Sequence, residues 1–498
     1  MADTQIADPN LIDKLSGFVF AKINLFGVPV EWVVLWMAIP MIGFTIYFGF
    51  INMRCFPAAT RILRGVYRDD DAPGEVSQFQ ALATALSGTV GLGNIAGVAI
   101  AIAIGGPGAT FWMILIGLVA MSLKFAEVTM GVKYRKVDSN GIVSGGPMYY
   151  LEQGFAKRGW WPVGKALGVL YAIFALGAAM QLVQVNQSYS QFRASSGLGP
   201  IPTEGLDVAG LTYGITIAVL TALVILGGIK GIARVTSKLV PLMCVVYVFT
   251  ALAIIIGHVG ELPAAIMTII HGAFSPDGVK GGVLGVLVIG MRRAVYSSEA
   301  GVGTAVIAHS AAKTREPVSE GMVALLEPFI DTVVVCTMTA LVIVITGAYT
   351  LTDANGAPIK DIAMTSAAFS DVISGFQYVL TVAVLLFAFS TIISWGYYGE
   401  KAWTYLFPDG KISVLIFRVF YCLALILGGV LSTEQIVDLI DSFFFLAAVP
   451  NVLGLVIMSK EIRSDLVSYL RRLKSGEIKT RVQRDIEIAD ARKTSYQI

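Results

Sequence analysis

Charge is scarce in this sequence. Lysine, arginine, aspartate and glutamate together supply 14% of its 498 residues, and hydrophobic residues supply 56%. Soluble domains carry about a quarter charged residues, so water is excluded as the main solvent of this chain. A formal net charge of +2 excludes nucleic acid or any other polyion recognised through whole-chain charge. Cysteine is also scarce. Cys55, Cys244, Cys336 and Cys422 lie far apart, inside or beside apolar segments, which excludes a CxxC pair and a disulfide framework. The three histidines, His258, His271 and His309, have no cysteine or carboxylate companions at ligand spacing, so no metal centre and no cofactor are expected. No GxxxxGK[ST] loop occurs, which argues against ATP-driven pumping. The stretch from Met1 to Gly27 carries Asp3, Asp8 and Asp13 and no basic segment leading into an apolar run; it does not read as a cleaved signal peptide.

What the sequence does have is long apolar runs. Runs of about twenty residues, enough for a helix to span roughly 30 Å of hydrocarbon, lie near 31–54, 79–104, 109–134, 166–190, 209–229, 237–258, 281–309, 320–347, 376–398, 412–431 and 436–458. None alternates apolar with polar residues, so the expectation is an all-α polytopic membrane protein with about eleven transmembrane helices. Basic residues collect after alternate runs: Arg54, Arg61, Arg64 and Arg68; Arg135, Lys136, Lys157 and Arg158; Lys230, Arg234 and Lys238; Lys313 and Arg315; and the tail 459–498. Short cytoplasmic loops are enriched in such residues, which predicts the N-terminus outside and the tail inside a plasma membrane, the inner membrane of a bacterium. The tail is expected to lie near anionic headgroups or to form a regulatory helix. Trp160 and Trp161 read as an interfacial anchor.

Two runs carry too much glycine and polarity for ordinary membrane helices. The second contains Ser87-Gly-Thr-Val-Gly-Leu-Gly-Asn94. Backbone groups freed there would be unfavourable in lipid unless they line a cavity or meet a ligand. A discontinuous helix offers carbonyls for a cation and, at a half-helix N-terminus, N–H groups for a carboxylate. The seventh run contains Gly290 to Gly303 with Arg292, Arg293 and Glu299, ionisable groups that mark a pathway or a gate in which the arginines pair with a carboxylate such as Glu299. The breaks are five runs apart, the spacing of a five-plus-five inverted repeat. Residues 1–30 would then be an extracytoplasmic segment, 31–54 an additional first helix, 79–258 the first repeat and 279–458 the second. GLGNIAG, from Gly91 to Gly97, is no dinucleotide fingerprint, because its third glycine is displaced and no βαβ unit surrounds it.

In the ninth run Ser390 and Thr391 are adjacent hydroxyls. Neutral hard oxygens suit a weakly held monovalent ion, although back-bonding to a carbonyl one turn earlier is equally open to them. Trp395, one turn after Thr391, shares its helix face and could cap a small pocket. Gln181 and Gln184, with Asn186 and Gln187, form another polar cluster in the fourth run, available to a substrate or to neighbouring helices. Among the carboxylates, Glu127, Glu299, Glu327 and Asp331 are the candidates for proton coupling, with Lys124 placed to pair with Glu127.

Several ordered strings resemble the alanine/glycine:cation symporters, also called the sodium:alanine symporter family. They are SGTVGLGNIAGVAIAIAIGGPGATFWM from Ser87, GGPMYYLE from Gly145, YSSEAGVGTA from Tyr296, EPFIDT from Glu327 and FAFSTIISWGYYGEK from Phe387. The family's usual Phe-Ser-Asn reads Tyr296-Ser297-Ser298 here, so no amide role is carried to Ser298. The resemblance implies a LeuT-type fold in which Val90 to Asn94 is the unwound part of the first core helix. It implies a substrate carboxylate near Thr89, Gly91 and the N–H groups of Leu92 and Gly93. It implies Na⁺ among the carbonyls of Ser87 and Val90, with Asn94 and the hydroxyls of Ser390 and Thr391. The expected function is symport of alanine or glycine with Na⁺, without chemistry on the substrate; H⁺ coupling or a glutamine preference is the alternative. No pore ring or filter points to a channel, and no nucleophile or acid–base constellation points to an enzyme.

Overall fold

A computed structural model of the chain describes residues 11–25, 27–199, 207–275, 282–352, 359, 361–370, 375–408, 410–430 and 434–487. After α1 (Leu11–Val19) come two short strands, β1 (Lys22–Leu25) and β2 (Val28–Glu31), paired antiparallel. The first apolar run forms α2 (Trp32–Tyr47) and α3 (Ile51–Arg54), with a left-handed residue, Phe50 at φ 55°, between them, and α4 (Phe56–Leu63) follows. The second forms α5 (Gln78–Thr89) and α6 (Leu92–Gly105), and the third forms α7 (Ala109–Lys133). A hairpin of β3 (Lys136–Val137) and β4 (Val143–Ser144) leads to α8 (Pro147–Ala156), then α9 (Trp161–Ala178) and α10 (Leu182–Ser196). Next are α11 (Val208–Ile225), α12 (Gly228–Gly257), α13 (Leu262–Phe274), α14 (Gly282–Ser298) and α15 (Ala305–Ser310). The eighth run is α16 (Pro317–Ala324), α17 (Leu326–Pro328), a π-helical segment Phe329–Val335 and α18 (Cys336–Ile345). The chain ends in α19 (Asp361–Ser370), α20 (Phe376–Leu406), α21 (Lys411–Gly428) and α22 (Glu434–Ser475).

Every expected span therefore has a helix. Among the described residues, eight helical stretches are long and apolar enough to cross a membrane, and the pair α5 and α6, bent by 44°, makes a ninth. The other two expected spans fall on α2, which is apolar but only 16 residues long, and on α14 with α15, where the arginines and the break lower the hydropathy. Three features depart from the sequence reading. Helix α12 begins at Gly228 instead of 237, α22 continues to Ser475 instead of ending at 458, and α13 is a further apolar helix of 13 residues. The last is seated on α7, where the Trp112 indole donates to the Ala273 carbonyl at 3.1 Å.

Local sequence explains the start of the broken second span. Ser77 and Gln80 form a reciprocal capping box: the Ser77 hydroxyl accepts from the Gln80 N–H at 3.2 Å, and the Gln80 side chain accepts from the Ser77 N–H at 3.0 Å. The loops rich in basic residues meet at one end of the bundle. Arg315 pairs with Asp69 at 3.1 Å, Arg484 with the same Asp69 at 3.3 Å, and Arg472 with Glu316 at 2.5 Å. Trp160 and Trp161 are both exposed there.

Apolar side chains gain nothing by leaving lipid for one another, so these helices hold together by close backbone approach. Gly210 lies against the Gly429 carbonyl and Gly214 against the Ile426 carbonyl, where an added Cβ would sit 2.3 and 2.7 Å from those oxygens. Gly214→Leu is accordingly expected to cost about 1–3 kcal/mol of stability by overpacking. Leu220→Ala, on the exposed face of the same helix, should leave the melting temperature in detergent nearly unchanged, and thermal melts of the two variants check the contrast.

Candidate substrate and cation site

Helix α5 ends at Thr89 because Gly91 is fully extended, at φ −150° and ψ −155°. Its last carbonyls have no acceptor role left within the helix. Helix α20 takes them instead. The Thr391 hydroxyl donates to the Ser87 carbonyl at 3.1 Å, and the Trp395 indole N–H donates to the Gly88 carbonyl at 3.3 Å. The Ser394 hydroxyl donates to the Thr84 carbonyl at 3.0 Å, and the Ser87 hydroxyl donates back to the Ser390 carbonyl at 2.6 Å. Residues 391, 394 and 395 fall on one face of an α-helix, which is why one helix can reach the Thr84, Ser87 and Gly88 carbonyls together.

Two of the expected cation donors, the Ser87 carbonyl and the Thr391 hydroxyl, are thus brought together. Ser390 is not with them through its hydroxyl, which donates to the Phe387 carbonyl at 2.9 Å in its own helix. Val90 is buried between the half-helices. The Thr89 hydroxyl faces the Ala85 and Leu86 carbonyls at 3.4 Å. Leu92 and Gly93 are the first two residues of α6, so their N–H groups have no acceptor within the helix and point into the break.

Asn94 is drawn to the other side of the break. Its amide oxygen accepts the Gly91 N–H at 2.9 Å, while its amide nitrogen donates to the Asp331 carboxylate at 2.6 Å. The second Asp331 oxygen accepts from Ser297 at 2.6 Å and Thr332 at 2.8 Å. This buried carboxylate, held by neutral donors, joins α6, α14 and the π-helical segment. Sequence reading named Asp331 only as a titrating candidate, because a single extra residue per turn leaves no mark on an apolar pattern.

The second break begins after Ser298. Glu299, Gly301 and Gly303 have φ of 50°, 97° and 84°. The left-handed region favours glycine, and the non-glycine Glu299 is held there at a strain of about 1–3 kcal/mol. Its carboxylate accepts from Thr304 at 3.0 Å. The expected pairing of the arginines with Glu299 is corrected: Arg292 pairs with Glu31 at 3.0 Å, at the edge of the first hairpin. Arg293 is turned inward onto α6, where it donates to the Gly93 carbonyl at 2.7 Å and lies flat on Gly97. A Cβ on Gly97 would fall 1.5 Å from the guanidinium, so the glycine there makes room for the arginine. A second expectation also changes. Lys124 meets Glu327 at 3.2 Å, and Glu127 instead accepts from the Gly301 N–H at 2.8 Å and from Asn451 at 2.7 Å. His309 continues the chain, with Glu320 at 2.6 Å on one ring nitrogen and Glu327 at 3.5 Å on the other. These carboxylates lie on α16 and α17, too far along the chain from His309 for ligand spacing to have paired them with it.

Gln181 donates to the Ala178 carbonyl at 3.1 Å, at a break between α9 and α10 that its residues did not announce. Gln184 keeps its amide oxygen buried without a partner among the described residues. Gln191 reaches Thr381, at 3.1 Å, and Ala179 lies against Gly399. That antiparallel register places Gln184 level with Thr391 and Trp395. Trp395 is buried, packed edge-on to Tyr398 at 5.6 Å and tilted to Phe444 at 6.1 Å. Tyr296 closes the same aromatic wall, 4.5 Å from Phe445.

The arrangement is a binding site inside a helix bundle. It offers free helix N–H groups, neutral oxygens beside a helix end, and an aromatic wall. Known proteins share its framework. Residues 15–484 match the family described as the sodium:alanine symporter family. The sodium/alanine symporter AgcS of Methanococcus maripaludis is 37% identical over 432 residues, covering 85% of this chain and 91% of that protein. The probable sodium/glutamine symporter GlnT of Bacillus subtilis is 32% identical over 449 residues, covering 88% of each. The crystal structure of MhsT in complex with L-phenylalanine superposes with a TM-score of 0.51 at 17% identity, covering 77% of this chain and 88% of that one. That likeness carries the fold, a LeuT-type bundle with two discontinuous helices. The chain is a multi-pass membrane protein that belongs to the sodium:alanine symporter family, a family of transporters and not of enzymes.

Proposed function

We propose that the protein takes up alanine, or glycine, together with Na⁺ by alternating access in a bacterial inner membrane. The observation that carries this reading is the pairing of the Ser87 carbonyl with the Thr391 hydroxyl at 3.1 Å, two hard neutral oxygens beside a helix break deep in the bundle. Na⁺ would enter between them, replacing their hydrogen bond with two ion–dipole contacts. The substrate carboxylate would lie against the N–H groups of Leu92 and Gly93, near Thr89 and Gly91. The unpartnered Gln184 oxygen supports a contact with the substrate ammonium. Trp395, Phe444 and Tyr296 would bound the side chain, so that larger amino acids clash with a wall that has no binding energy to open it. Arg293, seated on Gly93 and Gly97, would roof the break, with Arg292 and Glu31 beyond it, and Glu299 would brace the second break. The two halves would be 79–258 and 279–458, with 31–54 outside the repeat, the N-terminus outside the cell and the tail 459–498 in the cytoplasm.

A second reading is favoured by one feature. The buried carboxylates Glu127, Glu299, Glu320 and Glu327 outnumber the buried bases Lys124 and His309 around the second break. Unbalanced charge is unfavourable in a low-dielectric core, so a proton could serve in place of the metal ion. A glutamine preference is the corresponding substrate alternative, as the name of GlnT suggests.

Uptake of labelled alanine into proteoliposomes, under an inward Na⁺ gradient, an inward H⁺ gradient or neither, separates these readings. Uphill accumulation with Na⁺ alone is the expected result; accumulation with H⁺ alone would move the coupling role to a carboxylate, and no uptake under any gradient would overturn the substrate. Thr391→Ala should raise the half-saturating Na⁺ concentration about tenfold or more, since a contact to a charged group is worth about 1.5–3 kcal/mol. The amino acids that compete should stay the same, and an unchanged Na⁺ dependence would contradict the assignment. Trp395→Ala should instead relax size discrimination, read as stronger competition by bulky amino acids against alanine.

A further inference from the structure

Helix α22 has 42 residues, about 63 Å at 1.5 Å per residue, twice what the hydrocarbon layer requires. Its apolar part ends near Met458, so the next turns lie at headgroup depth. There the charges separate by face. The acids turn inward: Glu461 pairs with Lys133 and Arg158, both at 2.8 Å, and Asp465 with Lys133 at 2.5 Å. Lys460, Arg463 and Arg471 turn outward, are exposed, and meet no carboxylate among the described residues.

These bases sit over an apolar seat. On the same exposed stripe, toward the membrane, are Leu453 and Val456, at 36% and 49% exposure. Arg463 lies over the Tyr47 ring of α2, 4.7 Å from its centre, and Phe50 just beyond it is 52% exposed. Uncompensated cations above exposed hydrocarbon complement an amphiphile with an anionic head. A second copy of the chain would bring like charges together, and a soluble anion would leave the apolar part of the stripe unused.

We propose that this face of α22, with Tyr47, binds an anionic phospholipid of the adjoining leaflet. The headgroup phosphate lies among Lys460, Arg463 and Arg471, and the acyl chains run along Val456 and Leu453. Each basic residue near an anionic surface contributes an attraction that salt screens within a Debye length, about 8–10 Å at 0.1–0.15 M.

The test uses the purified full-length protein in mixed micelles of phosphatidylcholine and phosphatidylglycerol, with retained lipid counted by native mass spectrometry. Wild type should retain phosphatidylglycerol in preference to phosphatidylcholine. Lys460→Gln/Arg463→Gln/Arg471→Gln should lower that preference about tenfold to a hundredfold, whereas Lys230→Gln/Arg234→Gln/Lys238→Gln, which removes the same charge from α12, should keep it. Melting temperatures of both variants control for folding. If the triple variant does not fold, wild type provides the readout, and potassium chloride should release the phosphatidylglycerol. An unchanged preference in the α22 variant, an equal loss in the α12 variant, full displacement by inorganic phosphate, or retention indifferent to potassium chloride would each overturn the site.

Discussion

Lipid cannot hydrogen-bond to a carbonyl, and the rest of this structure is arranged around that constraint. Where α5 stops in mid-bundle, the Ser87 and Gly88 carbonyls need donors, and α20 supplies Thr391 and Trp395. This contact fixes the position of α20 against the break and sets the depth of the aromatic wall. It also leaves two oxygens facing one another at the place where a cation would be held. Bonds made by single hydroxyls are weak, about 1 kcal/mol each, so an ion that outcompetes them shifts the helices at little expense. A fully satisfied, continuous helix would be more stable and would have nothing to exchange.

The second break is built differently. Its backbone is held by ionised or polar side chains reaching in from α7 and α22, with Glu127 and Asn451 both bonded to Gly301. From there a buried series runs through Lys124, Glu327, His309 and Glu320 to Gln78 at the first turn of α5. The two discontinuous helices are therefore tied together beneath the candidate site by groups that are unfavourable when separated in low dielectric. On the other side of the site, Arg293 spans from α14 to α6. Alternating access, as proposed, would call for links of this kind on both sides of the candidate site, and the two differ in chemistry: one guanidinium on a backbone carbonyl, against a series of paired charges.

The broad architecture was legible because apolar runs of membrane length have no competing interpretation, and both breaks announced themselves as glycine and polar residues in lipid. The seat of Thr391 was legible for the same reason: a hydroxyl in such a run must bond to something. What it bonds to was not. Ser390 and Thr391 are equivalent in sequence, yet one satisfies its own helix and the other crosses to α5. Arg292 and Glu299 are seven residues apart, and the φ of 50° at Glu299 turns its side chain away from the helix that carries the arginine. Lys124 meets Glu327 on α17, while Glu127, one turn along its own helix, is taken by the Gly301 N–H and Asn451. The π-helical segment around Asp331 and the break at Gln181 add or remove no apolar character, so hydropathy does not register them.

The central claim is that the helix break holds ion and substrate side by side, so that each strengthens the other's binding. Equilibrium binding of labelled alanine to the purified protein, measured across Na⁺ concentrations at constant ionic strength with potassium as replacement, tests this most directly. Thermodynamic reciprocity requires alanine to sharpen Na⁺ binding by the same factor by which Na⁺ sharpens alanine binding, typically about 5–150-fold. The account predicts a rise in alanine affinity with Na⁺ of that order. Alanine binding of equal strength in Na⁺ and in K⁺ would contradict it.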